Sequence, residues 1–271
     1  MPLYWRELVK ARCLLGYVPN IKKPKTFNEK IIHRKLMEYN ACYCDLADKW
    51  SVRTYIETKI GKGYLSDVYQ IIDKVDQLVL SALPDRFVAK PTHQSGAVWL
   101  CDSKENLDYN KLSCTVNRWL NSSYGRDAGE YWYAEMTPRV IIEEYLGNGI
   151  PRDYKFFTFC GRVRAIQVDI DRFSRHTRNY YTTDWELMPF TCIYPNNSIK
   201  SEKLRPARLE EMIEIAGILG EGHDFVRVDL YYLDEVDRII FGELTFSPEA
   251  GNGRFTPGSY DLEIGKYWKS K

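Results

Sequence analysis

Two acidic residues stand in the middle of a predicted β-hairpin, VRVDLYYLDEVDRIIFGELTF over residues 226–246. Its two runs are rich in β-branched and aromatic residues and flank a short acidic stretch, which is typical of paired antiparallel strands. Asp229 lies in the first run and Glu243 in the second. Because only a short loop joins the runs, we expect Asp229 to lie opposite Glu243, with Cβ atoms about 5 Å apart.

Alternation along the second run predicts that its acid shares one face with Ile239, Phe241 and Thr245. Two facing carboxylates repel each other unless a cation lies between them, one is protonated or water screens them. Oxygen ligands without His or Cys suit a hard cation such as Mg²⁺. A solvated face with ordinary charges is the other interpretation. Ile239 and Phe241 favour the site, because they would form the floor of a pocket beside the acids.

Composition excludes several classes of protein. The 271 residues include 38 basic and 37 acidic ones, a balance that argues against a strongly basic nucleic-acid binder. The 7 cysteines are scattered, which favours free thiols in a reducing cytosol. No run approaches the roughly 18–20 apolar residues of a membrane span, so we expect a soluble, cytoplasmic protein. The amphipathic stretch 4–15 would be the part to contact a membrane, with packing against the core as the alternative.

The order of elements predicts an α+β fold. Residues 26–40 should form a helix that opens with a capping box of Thr26 and Glu29, and 46–63 should continue at helical spacing up to Gly61 and Gly63. Further helices are expected over 110–120 and 207–220. Strands are expected over 86–91, 97–101 and 139–146, and over two runs within 154–171 that meet at Cys160 and Gly161. Helices first and mostly antiparallel strands afterwards are typical of α+β proteins.

Two further stretches could face a nucleotide. FVAKPTHQSGAVW, residues 87–99, places Lys90 in an apolar strand before a polar, glycine-containing turn that lets backbone N–H groups approach an anion. An edge-strand lysine that prevents aggregation is the alternative. VIIEEYLGNG, residues 140–149, could bind an adenine through its backbone and a ribose through a glutamate, or could be a plain strand end.

Taken together, these stretches resemble the ATP-grasp superfamily and, within it, the TupA-like (teichuronopeptide-biosynthesis-type) branch. The order FVAKPTHQSG, IIEEYL, DYKF, VRVDLY and FGELTF matches, and PKTFNEKI, DKWSVRTYI and IGKGYL resemble the N-terminal signature of that branch. The resemblance implies two α+β subdomains that clasp ATP, preceded by a small helical region. The predicted boundaries are 1–80 for that region and 81–271 for the ATP-grasp domain, with a hinge between the subdomains near 143–150.

The resemblance also implies roles by position. Contacts to the ATP phosphates fall to Arg53 and Lys90, and a mobile phosphate loop contains Ser95 and Gly96. The adenine hinge comprises Glu143, Glu144, Tyr145 and Leu146, and the ribose is held by a glutamate there or by Asp153. The Mg²⁺ ligands are Asp229, Glu243 and Thr245. Arg227, with Lys90, is catalytic and stabilises the transferred phosphoryl group. Lys155 and Arg172 either hold a phosphate or the acceptor carboxylate, or pair with Asp153 and Asp171.

Three positions depart from the pattern of the superfamily. Thr245 stands where many members have Asn, SPEAGNG replaces the usual Pro-Gly after it, and Arg53 replaces a Lys. Arg keeps the positive charge but changes its shape.

The implied activity is an ATP- and Mg²⁺-dependent carboxylate–amine ligase that acts through an acylphosphate. Its expected partners are small-molecule or glycan substrates, a cell-surface polysaccharide or its precursor among them, and membrane-associated polysaccharide machinery. THQSG would be the loop that closes over the acylphosphate. The first alternative is a nucleotide-sugar-dependent glycosyltransferase, because VDID, residues 168–171, contains an Asp-x-Asp. The second is a binding module without catalysis.

Overall fold

The computed structural model describes residues 1–126, 129–147, 151–171 and 174–269. The α-helices within them are α1 Leu3–Leu15, α2 Phe27–Met37, α3 Cys42–Ala47, α4 Val52–Ile60, α5 Tyr109–Leu120, α6 Tyr131–Glu135, α7 Ser201–Leu204, α8 Leu209–Gly220 and α9 Ser259–Tyr267. The strands are β1 Val68–Ile72, β2 Phe87–Pro91, β3 Trp99–Cys101, β4 Val140–Glu144, β5 Arg152–Phe159, β6 Arg162–Ile170, β7 Thr177–Tyr181, β8 Thr191–Cys192, β9 Val226–Leu233, β10 Arg238–Thr245 and β11 Phe255–Thr256.

The chain divides into two compact units. One unit joins Met1–Asn40 to Pro151–Lys271, and the other is Ala41–Ile150. The predicted helical region 1–80 is therefore shared between them, because α2 packs on α9 while β1 pairs with β4. The boundary at residue 80 and the hinge near 143–150 stay predictions, and 148–150 lie outside the described residues.

The unit 41–150 contains an antiparallel sheet in the order β1-β4-β2-β3. Alternate residues of β2 and β4, such as Phe87 and Ile142, are buried with Val116 of α5 in one apolar cluster. The side chains between them point to the opposite face, since successive residues of a strand alternate. Lys90 and Glu143 belong to that opposite face.

The other unit contains an antiparallel sheet in the order β10-β9-β5-β6-β7 and the two-stranded β11-β8. Helix α8 covers one face of the larger sheet, where a Cβ on Gly220 would lie 2.6 Å from Thr158 Oγ1. On the opposite face an aromatic cluster is centred on Phe27 of α2, whose ring lies 5.7 Å from that of Phe157. That cluster leaves room for charged side chains elsewhere on the same face.

Antiparallel sheets with helices around them confirm the predicted α+β class. The capping box of α2 is also confirmed, since Thr26 Oγ1 accepts from the Glu29 amide and Glu29 Oε2 accepts from the Thr26 amide. The prediction of helical spacing throughout 46–63 is wrong at residues 48–51. Asp48 Oδ1 accepts from the amides of Trp50 and Ser51, which ends α3 and starts α4.

Candidate active site

Lys90 and Glu143 form an ion pair on the sheet of the unit 41–150. Lys90 lies opposite Ile141, so Glu143 is its diagonal neighbour across the ladder. Lys90 Nζ lies 2.6 Å from Glu143 Oε1, and the two side chains are 24% and 12% exposed. The pair is thus accessible at the lysine and more enclosed at the glutamate.

Arg53 and Ser66 complete this group. Ser66 Oγ donates to Glu143 Oε2 at 2.8 Å, and Arg53 Nη2 donates to the Ser66 carbonyl at 2.7 Å. Burial alone would raise the pKa of Glu143, but Lys90, Ser66 and Arg53 hold it below its ordinary value. The structure therefore brings together the two cations predicted to contact phosphates and the first residue of the predicted hinge.

The loop after β2 is anchored in its first half and exposed in its second. His93 Nε2 lies 3.1 Å from the Trp119 carbonyl, and Lys49 Nζ donates to the Gln94 carbonyl at 2.6 Å. Ser95 and Gly96 are exposed. Gly96 has φ +77°, and a Cβ there would meet no atom within 4 Å. The predicted phosphate-binding residues thus occupy the open half of the loop.

The rest of the predicted hinge follows β4. The Glu144 amide donates to the Asp67 carbonyl at 2.8 Å, which ties this strand end to the segment before β1. The Tyr145 ring lies 4.2 Å from the Arg86 guanidinium, and Leu146 is partly buried. The roles of Glu144, Tyr145 and Leu146 toward adenine stay predictions.

The second group of candidate residues lies in the other unit, on the hairpin of β9 and β10. Glu243 pairs with Asp229, as predicted from the alternation. Phe241 pairs with Leu230, so Gly242 is an extra residue in β10 and forms a β-bulge. A Cβ on Gly242 would lie 3.1 Å from the Asp229 carbonyl oxygen, and glycine allows this close approach.

The bulge changes which apolar residues of β10 lie on the same face of the sheet as the two acids. Residues paired across an antiparallel ladder share a face, so Ile239 and Phe241 lie on the face opposite Glu243. The prediction that they form a pocket floor beside the acids is wrong, because Gly242 reverses the alternation. Ile240, paired with Tyr231 and 1% exposed, lies on the face of the acids instead.

Arg227 connects the acids of the hairpin. Its Nε and Nη2 donate to the two carboxylate oxygens of Asp229, both at 2.7 Å, and Nη2 also donates to Thr245 Oγ1 at 3.1 Å. Glu243 Oε1 lies 3.6 Å from the same Nη2 and accepts from Thr245 Oγ1 at 3.0 Å. Burial opposes the charge on Arg227, but Asp229 and Glu243 raise its pKa above the ordinary value.

Lys155 extends this group to the next strand. Its Nζ lies 2.5 Å from both Asp153 Oδ2 and Asp229 Oδ2. Burial disfavours its charge, but the two aspartates raise the pKa of Lys155. Lys155 is 5% exposed and so is not a surface cation, although it does pair with Asp153. Arg172, the other predicted basic candidate, lies outside the described residues.

The donor atoms on the hairpin fit Mg²⁺. The described ranges contain no group of three His, Cys, Asp or Glu residues suited to a metal. Mg²⁺ in nucleotide sites needs fewer, since one or two carboxylates act together with phosphates and water. Asp229 is 2% exposed and in contact with two cations, whereas Glu243 is 27% exposed. The oxygens of Glu243 and Thr245 are therefore the more accessible donors.

Sequence reasoning missed a further ionic group on the same sheet. Arg178 Nε donates to Asp169 Oδ1 at 2.6 Å, and Arg178 Nη1 donates to Glu249 Oε1 at 2.8 Å. His176 Nε2 lies 3.0 Å from Asp169 Oδ1. Burial alone would raise the pKa of Asp169, but Arg178 and neighbouring donors hold it far below its ordinary value. A cation inside the run TRNYY, residues 177–181, is the sequence signal from which Arg178 could have been found.

The Asp-x-Asp of residues 168–171 does not form a paired site. Asp169 is 5% exposed and is held by Arg178, whereas Asp171 lies beyond the end of β6, is exposed and has φ +53°. The two carboxylates thus lie in different environments, so the geometry gives no support to the glycosyltransferase alternative.

Side chains of α2 hold the loop that follows β10. Arg34 Nη1 donates to the Phe246 carbonyl at 3.1 Å, and Lys35 Nζ donates to the Ala250 carbonyl at 3.0 Å. Asn28 Nδ2 donates to the Gly253 carbonyl at 2.8 Å. Within this loop Glu249 and Ala250 both have φ +52°, a conformation that side chains rarely adopt. The segment SPEAGNG is thus fixed by α2 and by the bond from Arg178 to Glu249.

Comparison with known proteins gives one family. The profile of the family described as TupA-like ATPgrasp matches residues 29–269. Comparison with proteins of curated function gives no match at the sequence level.

Several solved structures are similar at low identity. An L-amino acid ligase from Bacillus licheniformis is 15% identical, with a TM-score of 0.46 over 76% of this chain and 44% of that one. A D-alanine–D-alanine ligase from Bacillus anthracis complexed with ATP is 14% identical, with a TM-score of 0.45 over 83% and 63%. The ATP-grasp ligase PsnB complexed with minimal precursor, Mg and ADP is 13% identical, with a TM-score of 0.40 over 98% and 70%. The chain spans less than half of the length of the first of these.

Proposed function

The chain belongs to the TupA-like ATP-grasp family, and on that premise we propose that it is an ATP- and Mg²⁺-dependent ligase that joins a carboxylate to an amine. The observation that supports this most is Asp229 opposite Glu243, with Arg227 in contact with both. The cation suits a phosphoryl group, whose negative charge is spread over its oxygens, and the carboxylates suit the Mg²⁺ that would accompany ATP.

The proposed reaction has two steps. A carboxylate oxygen of the first substrate attacks the γ-phosphorus of ATP, the bond from that phosphorus to the β,γ-bridging oxygen breaks, and ADP leaves. The amine nitrogen of the second substrate then attacks the acyl carbon, the acyl C–O bond breaks, and phosphate leaves. The nitrogen gives up a proton to water, and an amide remains. Neither step needs a covalent protein nucleophile.

In this proposal each residue acts by binding or by neutralising charge. Lys90 and Arg53 bind phosphate oxygens, and Ser95 and Gly96 approach them through the backbone. Arg227 stabilises the transferred phosphoryl group. Mg²⁺ held by Glu243, Asp229 and Thr245 would supply charge neutralisation of the phosphate oxygens.

In this proposal the predicted hinge binds the adenosine part of ATP. The segment Glu143 to Leu146 holds the adenine through its backbone, and Glu143, Glu144 or Asp153 holds the ribose. Asp153 Oδ2 lies 2.5 Å from Lys155 Nζ, so a ribose contact by Asp153 would share this carboxylate with the lysine.

We further propose that the carboxylate belongs to a cell-surface polysaccharide or its precursor and that the amine is an amino acid or a simple amine. The support for this part is the similarity to the teichuronopeptide-type branch alone. An enzyme with these substrates would work in the cytoplasm, where ATP and precursors are available.

The decisive experiment measures ADP release with Mg²⁺, ATP and a panel of carboxylate–amine pairs. Glu243→Gln should lower Mg²⁺-dependent turnover at least about a hundredfold, because it removes a charge-neutralising oxygen ligand. Glu263→Gln, at an exposed position of α9, is the matched control and should have no effect. Full activity of Glu243→Gln would contradict the proposal. Thermal stabilisation by a UDP- or GDP-sugar and not by ATP with Mg²⁺ would restore the glycosyltransferase alternative.

A further inference from the structure

Helix α1 exposes an apolar stripe. Trp5 and Val9 are 58% and 52% exposed, and Cys13 is exposed as well. These three residues are spaced by four, so their side chains follow one another along one side of the helix. The buried side of α1 carries Ala11 and Leu15, which belong to the apolar cluster with α2. The stripe is therefore additional to the side of the helix that packs against the protein.

Cations flank this stripe on both sides. Arg12 and Lys10 are exposed. At 3.6 residues per turn, Arg12 lies beside the stripe on one side and Lys10 on the other. Glu7 is the one acid in the sequence of α1, and it is buried and lies 2.7 Å from Lys35 Nζ. The exposed side of the helix thus carries only positive formal charge.

The segment that follows α1 is also rich in exposed cations. Lys22, Lys23 and Lys25 are exposed, and Arg254 Cζ lies 3.9 Å from the position that a Cβ on Gly16 would take. Residues 1–26 contain six Lys and Arg against one acid, although the whole chain has 38 basic and 37 acidic residues. The excess of cations is therefore confined to the part of the sequence that also contains the apolar stripe.

We propose that the exposed face of α1 binds the surface of an anionic lipid bilayer. Helices that lie in the plane of a membrane interface combine Trp and aliphatic residues on one side with Lys and Arg next to them. The aliphatic stems of Lys and Arg follow the apolar surface while their charges reach the lipid headgroups. Nucleic acid would need the cations but would leave the exposed side chains of Trp5 and Val9 without a favourable contact.

Binding of this kind is peripheral. No helix in the described part of the chain is long and apolar enough to cross a membrane. Helix α1, with 13 residues, is about 20 Å long and would contribute a few apolar side chains to the interface. Electrostatic attraction would then supply much of the affinity, so salt should weaken it. The proposal depends on α1 alone and does not rest on the ligase activity.

Co-sedimentation of the full chain with lipid vesicles tests this proposal. The vesicles consist of phosphatidylcholine alone or of phosphatidylcholine mixed with phosphatidylglycerol. We expect at least about tenfold stronger partitioning onto the anionic vesicles, since each cation near such a surface contributes roughly fivefold. Lys10→Glu/Arg12→Glu should remove most of that difference, and Trp5→Ser/Val9→Ser should weaken binding severalfold.

Matched variants separate this effect from general changes in charge or hydropathy. Lys111→Glu/Arg118→Glu makes the same change in charge at exposed positions of α5. Val236→Ser removes an apolar residue that is 65% exposed and adjacent to acids. Both control proteins should bind vesicles like the wild type, and all variants should keep the thermal unfolding of the wild type.

Three outcomes would overturn the proposal. Equal partitioning onto neutral and anionic vesicles, or none onto either, would exclude anionic lipid as the ligand. Unchanged binding of both α1 variants would place the contact elsewhere on the protein. Self-association of the wild type without vesicles, lost in Trp5→Ser/Val9→Ser, would instead identify the stripe as an interface between copies of the chain.

Discussion

Lys90 and Lys155 each form an ion pair on one of the two large sheets, but they differ in burial. Burial decides whether such a lysine can leave its carboxylate partner for a ligand or stays with it. Lys90 is 24% exposed and contacts the carboxylate of Glu143, whereas Lys155 is 6% exposed at its side chain and contacts Asp153 and Asp229. Exposed pairs contribute about 0–1 kcal/mol to stability. Removing one partner of a buried ion pair lowers the free energy of unfolding by several kcal/mol, because the other charge is left buried without compensation.

This difference in burial suits one lysine for ligand binding and the other for stabilising the fold. A partly exposed lysine can turn to a phosphate at a lower cost than a buried one, since water already screens part of its ion pair. A buried lysine between two aspartates keeps their side chains in one geometry and is not available for exchange. We therefore expect Lys90 to affect ligand binding more than folding and Lys155 to affect folding first.

Replacing Lys155 by Met should have the largest effect on stability. Asp153 and Asp229 would then face each other while buried, and we expect a loss of about 3–5 kcal/mol in the free energy of unfolding. Urea denaturation at neutral pH measures this quantity. Lys266→Met, at an exposed position of α9, is the control and should change stability by less than about 0.5 kcal/mol. If Lys155→Met also changed the free energy of unfolding by less than about 0.5 kcal/mol, its ion pairs with the two aspartates would not stabilise the fold.

Asp169 provides a second buried carboxylate with a defined pH dependence. Its pKa is held below the ordinary value, chiefly by Arg178 against the effect of burial. Its stabilising contribution is therefore present above the ordinary aspartate pKa of about 4 and is lost as the pH falls below that value. Asp169→Asn should cost about 2–4 kcal/mol at pH 7, because among the described residues Arg178 then keeps Glu249 alone as an acidic partner.

The measurement for Asp169→Asn is the free energy of unfolding at several pH values between 7 and 3. The gap between wild type and variant should narrow once the pH falls below about 4, since Asp169 then binds a proton in the unfolded wild type while it stays charged in the native protein. A constant gap over this range would mean that the ionic charge of Asp169 does not stabilise the fold. Asp171→Asn, at an exposed position, should leave the whole curve unchanged.

Local patterns were enough to predict the contacts between near neighbours in the sequence. Strand alternation and a short loop predicted Asp229 opposite Glu243, and Thr26 with Glu29 predicted the capping box of α2. Both predictions depend on repeating backbone geometry over a few residues. They carry no information on irregular backbone, which is why the extra residue Gly242 reversed the predicted face of Phe241.

Contacts across long sequence separations could not be predicted in this way. Arg178 and Glu249 are 71 residues apart, and Lys35 and Ala250 are 215 residues apart. Their pairing depends on how β7 and α2 pack in the folded unit, which no periodic pattern encodes. For the same reason, no local pattern indicates that residues 1–80 contribute to both compact units.

Lys90→Ala should have the smallest effect on stability and the largest contrast with Lys155. We expect a loss of less than about 1 kcal/mol, because Lys90 is partly exposed and Glu143 keeps its contact with Ser66. Under the proposed function, the dissociation constant for ATP with Mg²⁺ should rise at least about tenfold, since a phosphate would lose a cationic donor.

Calorimetric titration of Lys90→Ala with ATP and Mg²⁺, together with urea denaturation, tests both statements on one protein. Lys62→Ala, at an exposed position of the same unit, should match the wild type in both measurements. Unchanged nucleotide affinity in Lys90→Ala would remove Lys90 from the proposed site. If Lys90→Ala lowered the free energy of unfolding as much as Lys155→Met does, both lysines would be structural. The proposed contrast between the two ion pairs requires these two losses to differ by several kcal/mol.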